Sequence, residues 1–253
     1  MRITLLRHAT LLIEIAGKTI LVDPMLDDAG VRAPVRGTPN PLPNPLVPLP
    51  EGALEKALRA DAAIVTHTHV DHWDAAAVMQ LPKSIPLFCQ PEEAADLAGL
   101  GFPGIQPLAF GAPVEWEGIA VDKTGGQHAH DQDMARGLGP VSGIVLRAEG
   151  EPTVYIAGDT VWCDEVAEAI ARHQPDWIVV NAGAARFVEG GLITMGKEEV
   201  AAVANAAPDA RIVAVHLEAI NHCLETRSDL AAGLADAGVE ARIDIPADGQ
   251  MLE

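Results

Sequence analysis

Apolar positions alternate with polar ones with a period of two at the start of the chain, which predicts strands over residues 2–7, 11–15 and 18–23. Gly17-Lys18 supplies a turn between the second and third, and Asp23-Pro24 stops the third because proline cannot continue a ladder. Residues 27–50 are proline-rich and lose all periodicity, so they read as a long irregular loop, either a lid or a surface insertion. A short helix over 53–59 then precedes Ala62-Ala63-Ile64-Val65-Thr66, a β-branched run of buried-strand type. Helices are predicted at 74–80 and 91–99, and strands at 85–89, 113–116, 118–123, 141–147 and 153–157. The last part alternates helix and strand: helix 163–172, strand 177–181, helix 197–206, strand 211–215, helix 226–237 and strand 239–245. Strands dominate the first half and strand–helix alternation the second, with no linker or short-period repeat. One mixed α/β domain over 1–253, with a Pro-rich loop at about 27–50, is the economical organisation.

Composition narrows the partners. Apolar residues make up 49% of the chain but aromatics only 4%, so Ala, Val, Leu and Ile must fill the core. The formal net charge of −19 repels polyphosphate backbones and anionic membrane surfaces. A small-molecule substrate is therefore expected, with no nucleic acid and no membrane; the composition is compatible with a homo-oligomer. Cys89, Cys163 and Cys223 are odd in number and far apart, which is neither a disulfide framework nor a thiolate metal site; they read as inert fillers. The first residues run directly into strand alternation without a signal-type apolar region, and no apolar stretch reaches the ~18 residues that span a bilayer. A cytoplasmic protein is expected.

The chemistry is concentrated in His67-Thr68-His69-Val70-Asp71-His72, directly after a buried strand. Histidines two apart on an extended segment point the same way and can grip one ion. Asp71 and His72 then turn into the next helix and can face a second ion. Imidazole and carboxylate donors of this kind suit zinc, manganese or iron. His128 and His130, two apart, compete for a further position; His128 follows Gly125-Gly126, where the backbone can approach a site closely, and is preferred.

This motif resembles the signature of the metallo-β-lactamase superfamily, and the resemblance extends over most of the chain. It implies a four-layer αββα sandwich of α/β (α+β) class. Asp23 resembles the superfamily's early aspartate, which braces the histidine loop from behind. His128 resembles its third histidine ligand, Asp159 in Gly158-Asp159-Thr160 its bridging carboxylate, and His216 in Val215-His216 its last ligand. The implied assignment puts one metal on His67, His69 and His128 and a second on Asp71, His72 and His216, bridged by Asp159. Two divalent ions, Zn2+ or Mn2+ with Fe as a third option, would hold a hydroxide between them, since metal binding lowers the pKa of water from about 16 to near 7. Asp71, Asp159 and His222 are the expected catalytic groups, with His222 a proton donor or substrate contact. His8 is taken as a turn or core histidine, His173 as a helix end, Trp73 as a wall of the site, and Arg186 as either an anion clamp or a surface ion pair.

Within the superfamily, the length, His8-Ala9-Thr10, the Gly-Asp-Thr element and the final Val-His strand end are most similar to the UlaG-like branch, which includes L-ascorbate 6-phosphate lactonase. The resemblance implies a hydrolase acting on a lactone or phosphoester of a small metabolite. Two other readings stay open on the same residues: a di-iron redox enzyme, and a non-catalytic metal-binding protein.

Overall fold

In the second half of the chain, neighbouring residues of one strand belong to different cores. Val179, Val213 and Val215 face one apolar layer, while Ile178, Val180, Ile212 and Ala214 face another. Strands covered on both faces read as continuous apolar runs, which is why their sequence shows little alternation. The computed structural model, which describes residues 1–253, resolves this pattern into two seven-stranded sheets packed face to face with helices on both outer sides.

The first sheet is built from β1 (Arg2–Arg7), β2 (Thr10–Ile15), β3 (Lys18–Val22), β4 (Ala62–Val65), β5 (Leu87–Cys89) and β6 (Ile105–Pro107). The second uses β7 (Val114–Trp116), β8 (Ile119–Thr124), β9 (Gly143–Ala148), β10 (Val154–Ile156), β11 (Trp177–Asn181), β12 (Arg211–Val215) and β13 (Ile243–Asp244). A last strand, β14 (Met251–Leu252), returns to the first sheet beside β1, giving the order β14-β1-β2-β3-β4-β5-β6 against β13-β12-β11-β10-β9-β8-β7. The shared core between the sheets holds Ile3, Leu11, Ile13, Val121, Ile144 and Val179, among others. Outside the first sheet lie α1 (Ala53–Ala57), α2 (Ala75–Gln80) and α3 (Ala94–Gly99) over Leu21, Ala63, Val65 and Leu87. After α4 (Gln132–Leu138), the helices α5 (Asp164–His173), α6 (Lys197–Ala206) and α7 (Arg227–Asp236) cover the second sheet. The four layers are the αββα sandwich expected.

Several features differ from expectation, among them β6 and β14, which no predicted strand covers. The strand expected over 239–245 is a 3-10 turn, Glu240–Arg242, followed by β13, because only Ile243 and Asp244 find partners on β12. Helix α4 is not among the predicted elements: its half-buried Met134, Ala135 and Leu138 make only a short apolar stripe, and the Asp131 side chain, capping Met134 N at 2.8 Å, marks its start. Trp73, expected to wall the site, instead points into the core under the first sheet, edge-on to Phe102.

Topology gathers the chemistry at one edge. β1, β3 and β4 run the same way in the first sheet, as do β8, β10, β11 and β12 in the second. Their carboxyl ends all open on the same rim, the usual place for a site in parallel α/β sheets. The proline-rich segment is tied down there at both ends. The buried Arg7 guanidinium donates to the carbonyls of Met25, Asp27 and Val47 at 2.8, 2.9 and 3.0 Å. No helix is long and apolar enough to cross a membrane.

Candidate metal centre

His67 and His69 follow β4, and Asp71 and His72 follow them in a tight turn in which His72 N and Trp73 N both donate to His69 O at 2.8 Å. His128 arrives after β8, Asp159 after β10 and His216 after β12. All but the half-buried His69 are buried. Two groups form. His67 Nε2 and His128 Nε2 lie 3.0 and 3.2 Å from His69 Nδ1. His72 Nε2 lies 3.3 Å from His216 Nε2, with Asp71 Oδ2 at 3.7 Å from the latter.

Asp159 stands between the groups and divides its two oxygens. Oδ1 is 3.2 Å from His72 Nε2 and 3.3 Å from His216 Nε2, while Oδ2 is 3.9 Å from both His67 Nε2 and His128 Nε2. A carboxylate that presents a different oxygen to each imidazole group offers one donor to either side.

The outward atoms of the rings explain which nitrogens converge. His72 Nδ1 meets Asp23 Oδ2 at 2.9 Å, and His128 Nδ1 meets the Ile193 carbonyl at 3.0 Å. His67 Nδ1 meets Thr66 Oγ1 at 3.1 Å, and that hydroxyl donates to Asp23 Oδ2 at 2.8 Å. His69 is turned over: its Nε2 meets the Leu138 carbonyl at 2.9 Å, leaving Nδ1 inward. Each acceptor fixes the proton on the outer nitrogen and leaves an inward lone pair, the usual support for metal-binding imidazoles. So many lone pairs facing one another inside a buried space are repulsive without a cation, and this donor set of histidines and carboxylates fits zinc, manganese or iron.

Register produces this support. β3 pairs in parallel with β4 so that Val22 faces Ile64, and Asp23 therefore comes level with Thr66. Asp23 N donates to Ile64 O, and Asp23 Oδ1 accepts from Thr66 N at 2.8 Å. Asp23 thus braces the histidine loop from behind. His8, Asp23 and His216 each end a strand in the left-handed region, at φ 61, 44 and 65°. Non-glycine residues held there cost about 1 kcal/mol apiece, and such strain concentrates at functional sites. Gly158, at φ 72°, has no alternative: a Cβ on it would meet Ser142 O at 2.6 Å, so only glycine delivers Asp159 here.

Charge follows the same division. Burial opposes charging His72, yet Asp159 and Asp23 outweigh it and push its pKa up to about 10. Burial likewise opposes charging His216, but Asp159 holds its pKa well above the ordinary imidazole value. Asp71 and Asp159 resist burial through these imidazoles and lie well below the usual carboxylate range. His67 and His128 are lowered by burial. Protons on His72 and His216 thus supply, in the metal-free chain, part of the positive charge that the cluster demands.

The structure separates the two competing histidines. His128 faces the cluster, whereas His130 is exposed and pairs with Glu199 Oε1 at 2.5 Å. His222 lies at the margin, its Nε2 3.9 Å from Asp71 Oδ2 and its Nδ1 buried without a partner. Arg186 is exposed and has no ion pair; its backbone N donates to His222 O. His173 ends α5 away from the cluster, against Arg147. Reading by residue type missed three groups. Asn181, at the end of β11, donates to Asp159 Oδ1 at 2.6 Å. Cys223, taken as inert, sits 3.4 Å from His216 Nδ1, where the other rings have oxygen acceptors. His8 lies inside the second group rather than in a remote turn. Only the strand-end position of His8 and Asn181 signalled their place.

Comparison with known proteins identifies the family. The family model of the beta-lactamase superfamily domain matches residues 18–217. The UPF0173 protein YddR of Bacillus subtilis (strain 168) is 39% identical over 99% of this chain and 98% of its own length. A UPF0173 metal-dependent hydrolase of Azorhizobium caulinodans is 27% identical over the full length of both. Among solved structures, the isothiocyanate hydrolase from Delia radicum gut bacteria superposes with a TM-score of 0.94 at 39% identity, covering 100% of this chain and 99% of that one. A possible metal-dependent hydrolase from Veillonella parvula gives 0.95 at 32% identity, covering 100% and 98%. With likeness running the length of the chain, it belongs to the UPF0173 metal-dependent hydrolases of the beta-lactamase superfamily.

Proposed function

We propose that this chain hydrolyses a small, uncharged carbon electrophile, with an isothiocyanate as the first candidate, at a two-metal centre made by His67, His69, His128, Asp71, His72, His216 and the bridging Asp159. The observation that carries the two-metal reading is the split of Asp159, Oδ1 toward His72 and His216 and Oδ2 toward His67 and His128. Bound there, divalent cations supply Lewis acidity and a water acidic enough to react near neutral pH.

The chain's own groups do the rest. Asp23, Thr66 and the carbonyls of Leu138 and Ile193 hold the rings in one tautomer, so the centre is organised before substrate arrives. Every ion-pair partner within 4.0 Å of the Asp71 and Asp159 carboxylates is a histidine. No lysine or arginine pairs with either carboxylate, and the Arg32 guanidinium beside the loop is engaged by Asp27 and the Val70 carbonyl, which favours an uncharged electrophile. For an isothiocyanate, water adds to the central carbon and the C–N bond breaks, so R–N=C=S and H2O yield R–NH2 and COS. His222, neutral because burial lowers its pKa, has an unpartnered Nδ1 with which to pass a proton to the departing nitrogen.

A second reading, a lactone or phosphoester of a small anionic metabolite, is favoured by the exposed, unpaired Arg186 beside His222. The deciding experiment is an amine-release assay on allyl and benzyl isothiocyanates, run beside a lactone panel and bis(p-nitrophenyl) phosphate, after loading with zinc, manganese or iron. Isothiocyanate turnover at least tenfold above the others supports the first reading. Selective lactone or phosphodiester turnover, lost in Arg186→Ala, supports the second.

A further inference from the structure

His8 ends β1 with its side chain fully buried; its Nδ1 has no partner, and its Nε2 faces only the Asp71 carboxylate. A buried imidazole so sparsely partnered is costly unless the site makes use of it. Its Nε2 lies 3.4 Å from Asp71 Oδ2, closer than His216 at 3.7 Å or His222 at 3.9 Å. Its ring lies over that of His216, with centroids 3.6 Å apart and planes tilted by 40°. The chain holds this contact in a backbone conformation that histidine adopts reluctantly, φ 61°, and His8 O accepts from His216 N at 2.8 Å. One residue of the first sheet therefore touches both the side chain and the backbone of a candidate ligand carried by the second.

We propose that His8 is a positioning residue for the second metal position: its Nε2–H holds Asp71 Oδ2, and its ring backs that of His216. With centroids 3.6 Å apart and planes tilted by 40°, the two imidazoles pack against each other, and His8 acts through Asp71 and His216. It does for Asp71 what Asn181 does for Asp159, where the amide donates to Oδ1 at 2.6 Å. The inference rests on the two-metal reading and adds a member to it that residue type alone assigned to the core.

The test is metal binding measured by chelator competition, with cobalt(II) as probe, on the wild-type chain, His8→Gly and His8→Asn. Glycine removes the ring and relaxes the left-handed backbone, so the fold stands; asparagine tolerates that backbone and keeps a donor. The wild type is expected to take up two equivalents. His8→Gly is expected to keep the first, to weaken the second about 10–100-fold, and to alter the cobalt absorption of the second; His8→Asn should recover part of both. Two equivalents bound by His8→Gly with wild-type affinity and spectrum would overturn the role of His8 alone. Fewer than two in the wild type would overturn the two-metal reading, and the role of His8 with it.

Discussion

The Asn181 amide donates to Oδ1 of Asp159 at 2.6 Å, and that same oxygen faces His72 and His216 at 3.2 and 3.3 Å. Both residues end neighbouring parallel strands, since β10 and β11 pair with Ile156 opposite Val179. Adjacent strand ends thus set the rotation of the one carboxylate that faces both histidine groups. Asn181→Ala removes a hydrogen bond to a charged acceptor, worth about 1.5–3 kcal/mol. The carboxylate is then free to turn, and affinity for at least one metal should fall about 10–100-fold. Chelator competition checks this; an unchanged affinity would show that Asp159 is held by its neighbours without Asn181.

Asp159→Ala removes the proposed bridge itself. Turnover is expected to vanish, while circular dichroism keeps the wild-type shape because both sheets are packed elsewhere. Near-normal activity in this variant would refute the bridging role.

The metal-free chain should weaken as pH rises above neutrality. His72 has a folded pKa of about 10 against an ordinary 6.5, so its proton favours the folded state. That contribution is complete below about 6.5 and is lost as pH climbs toward 10; His216, also raised, acts in the same direction. His67 and His128 are lowered instead, and their opposing effect is already complete above neutrality. The melting temperature of chelated protein should therefore fall from about pH 7 to about pH 9, and metal-loaded protein, with both rings neutral and ligated, should stay flat. A parallel fall in both forms would detach the effect from these histidines.

The proline-rich segment is fastened rather than free. Asn221 is fully buried; its Oδ1 accepts from Val35 N at 3.0 Å and Asn44 Nδ2 at 2.7 Å, and its Nδ2 donates to Thr38 Oγ1 and Asn40 O at 2.6 Å each. Its own backbone N donates to Asn44 Oδ1 at 2.9 Å. Asn221→Ala leaves several of these partners unsatisfied, at roughly 3 kcal/mol in total, and frees the segment beside His222. Limited proteolysis should then cut within residues 27–50, and KM should rise more than kcat falls. If the variant resists proteolysis as the wild type does, the segment is held by Arg7 and its packing instead.

What could be read from the chain divides by distance along it. His67, His69, Asp71 and His72 stand within six residues, and the buried strand before them aims them, so local pattern sufficed. Asp159 and His216 were legible through the superfamily resemblance, each following a predicted strand. His8 and Asn181 stand at strand ends too, but nothing local tells a contact with Asp71 or Asp159 from a satisfied turn; that distinction is made by strand order, which brings residues far apart in sequence to one rim. Carbonyl partners such as Leu138 O and Ile193 O have no signature at all, because any residue type supplies a carbonyl. Helix α4 escaped because it is short, 7 residues, with only Met134, Ala135 and Leu138 half-buried to mark a period.

The choice between His128 and His130 shows what three-dimensional placement adds to spacing. Two residues apart, both could sit on one side of an extended segment, but the segment turns toward α4 after His128, where Asp131 caps the helix. His128 Nε2 is left 3.2 Å from His69 Nδ1, and His130 is carried outward to Glu199. An exposed pair of this kind contributes at most about 1 kcal/mol. His130→Ala should therefore leave metal stoichiometry unchanged and activity within about twofold, in line with surface substitutions generally. His128→Ala removes one of the three imidazoles of the first group and should lower uptake to about one equivalent, with activity lost. Elemental analysis of the two variants side by side distinguishes them. The reverse outcome, with His130→Ala losing metal and His128→Ala retaining it, would mean that the segment from Gly125 to Asp131 rearranges around the bound ions.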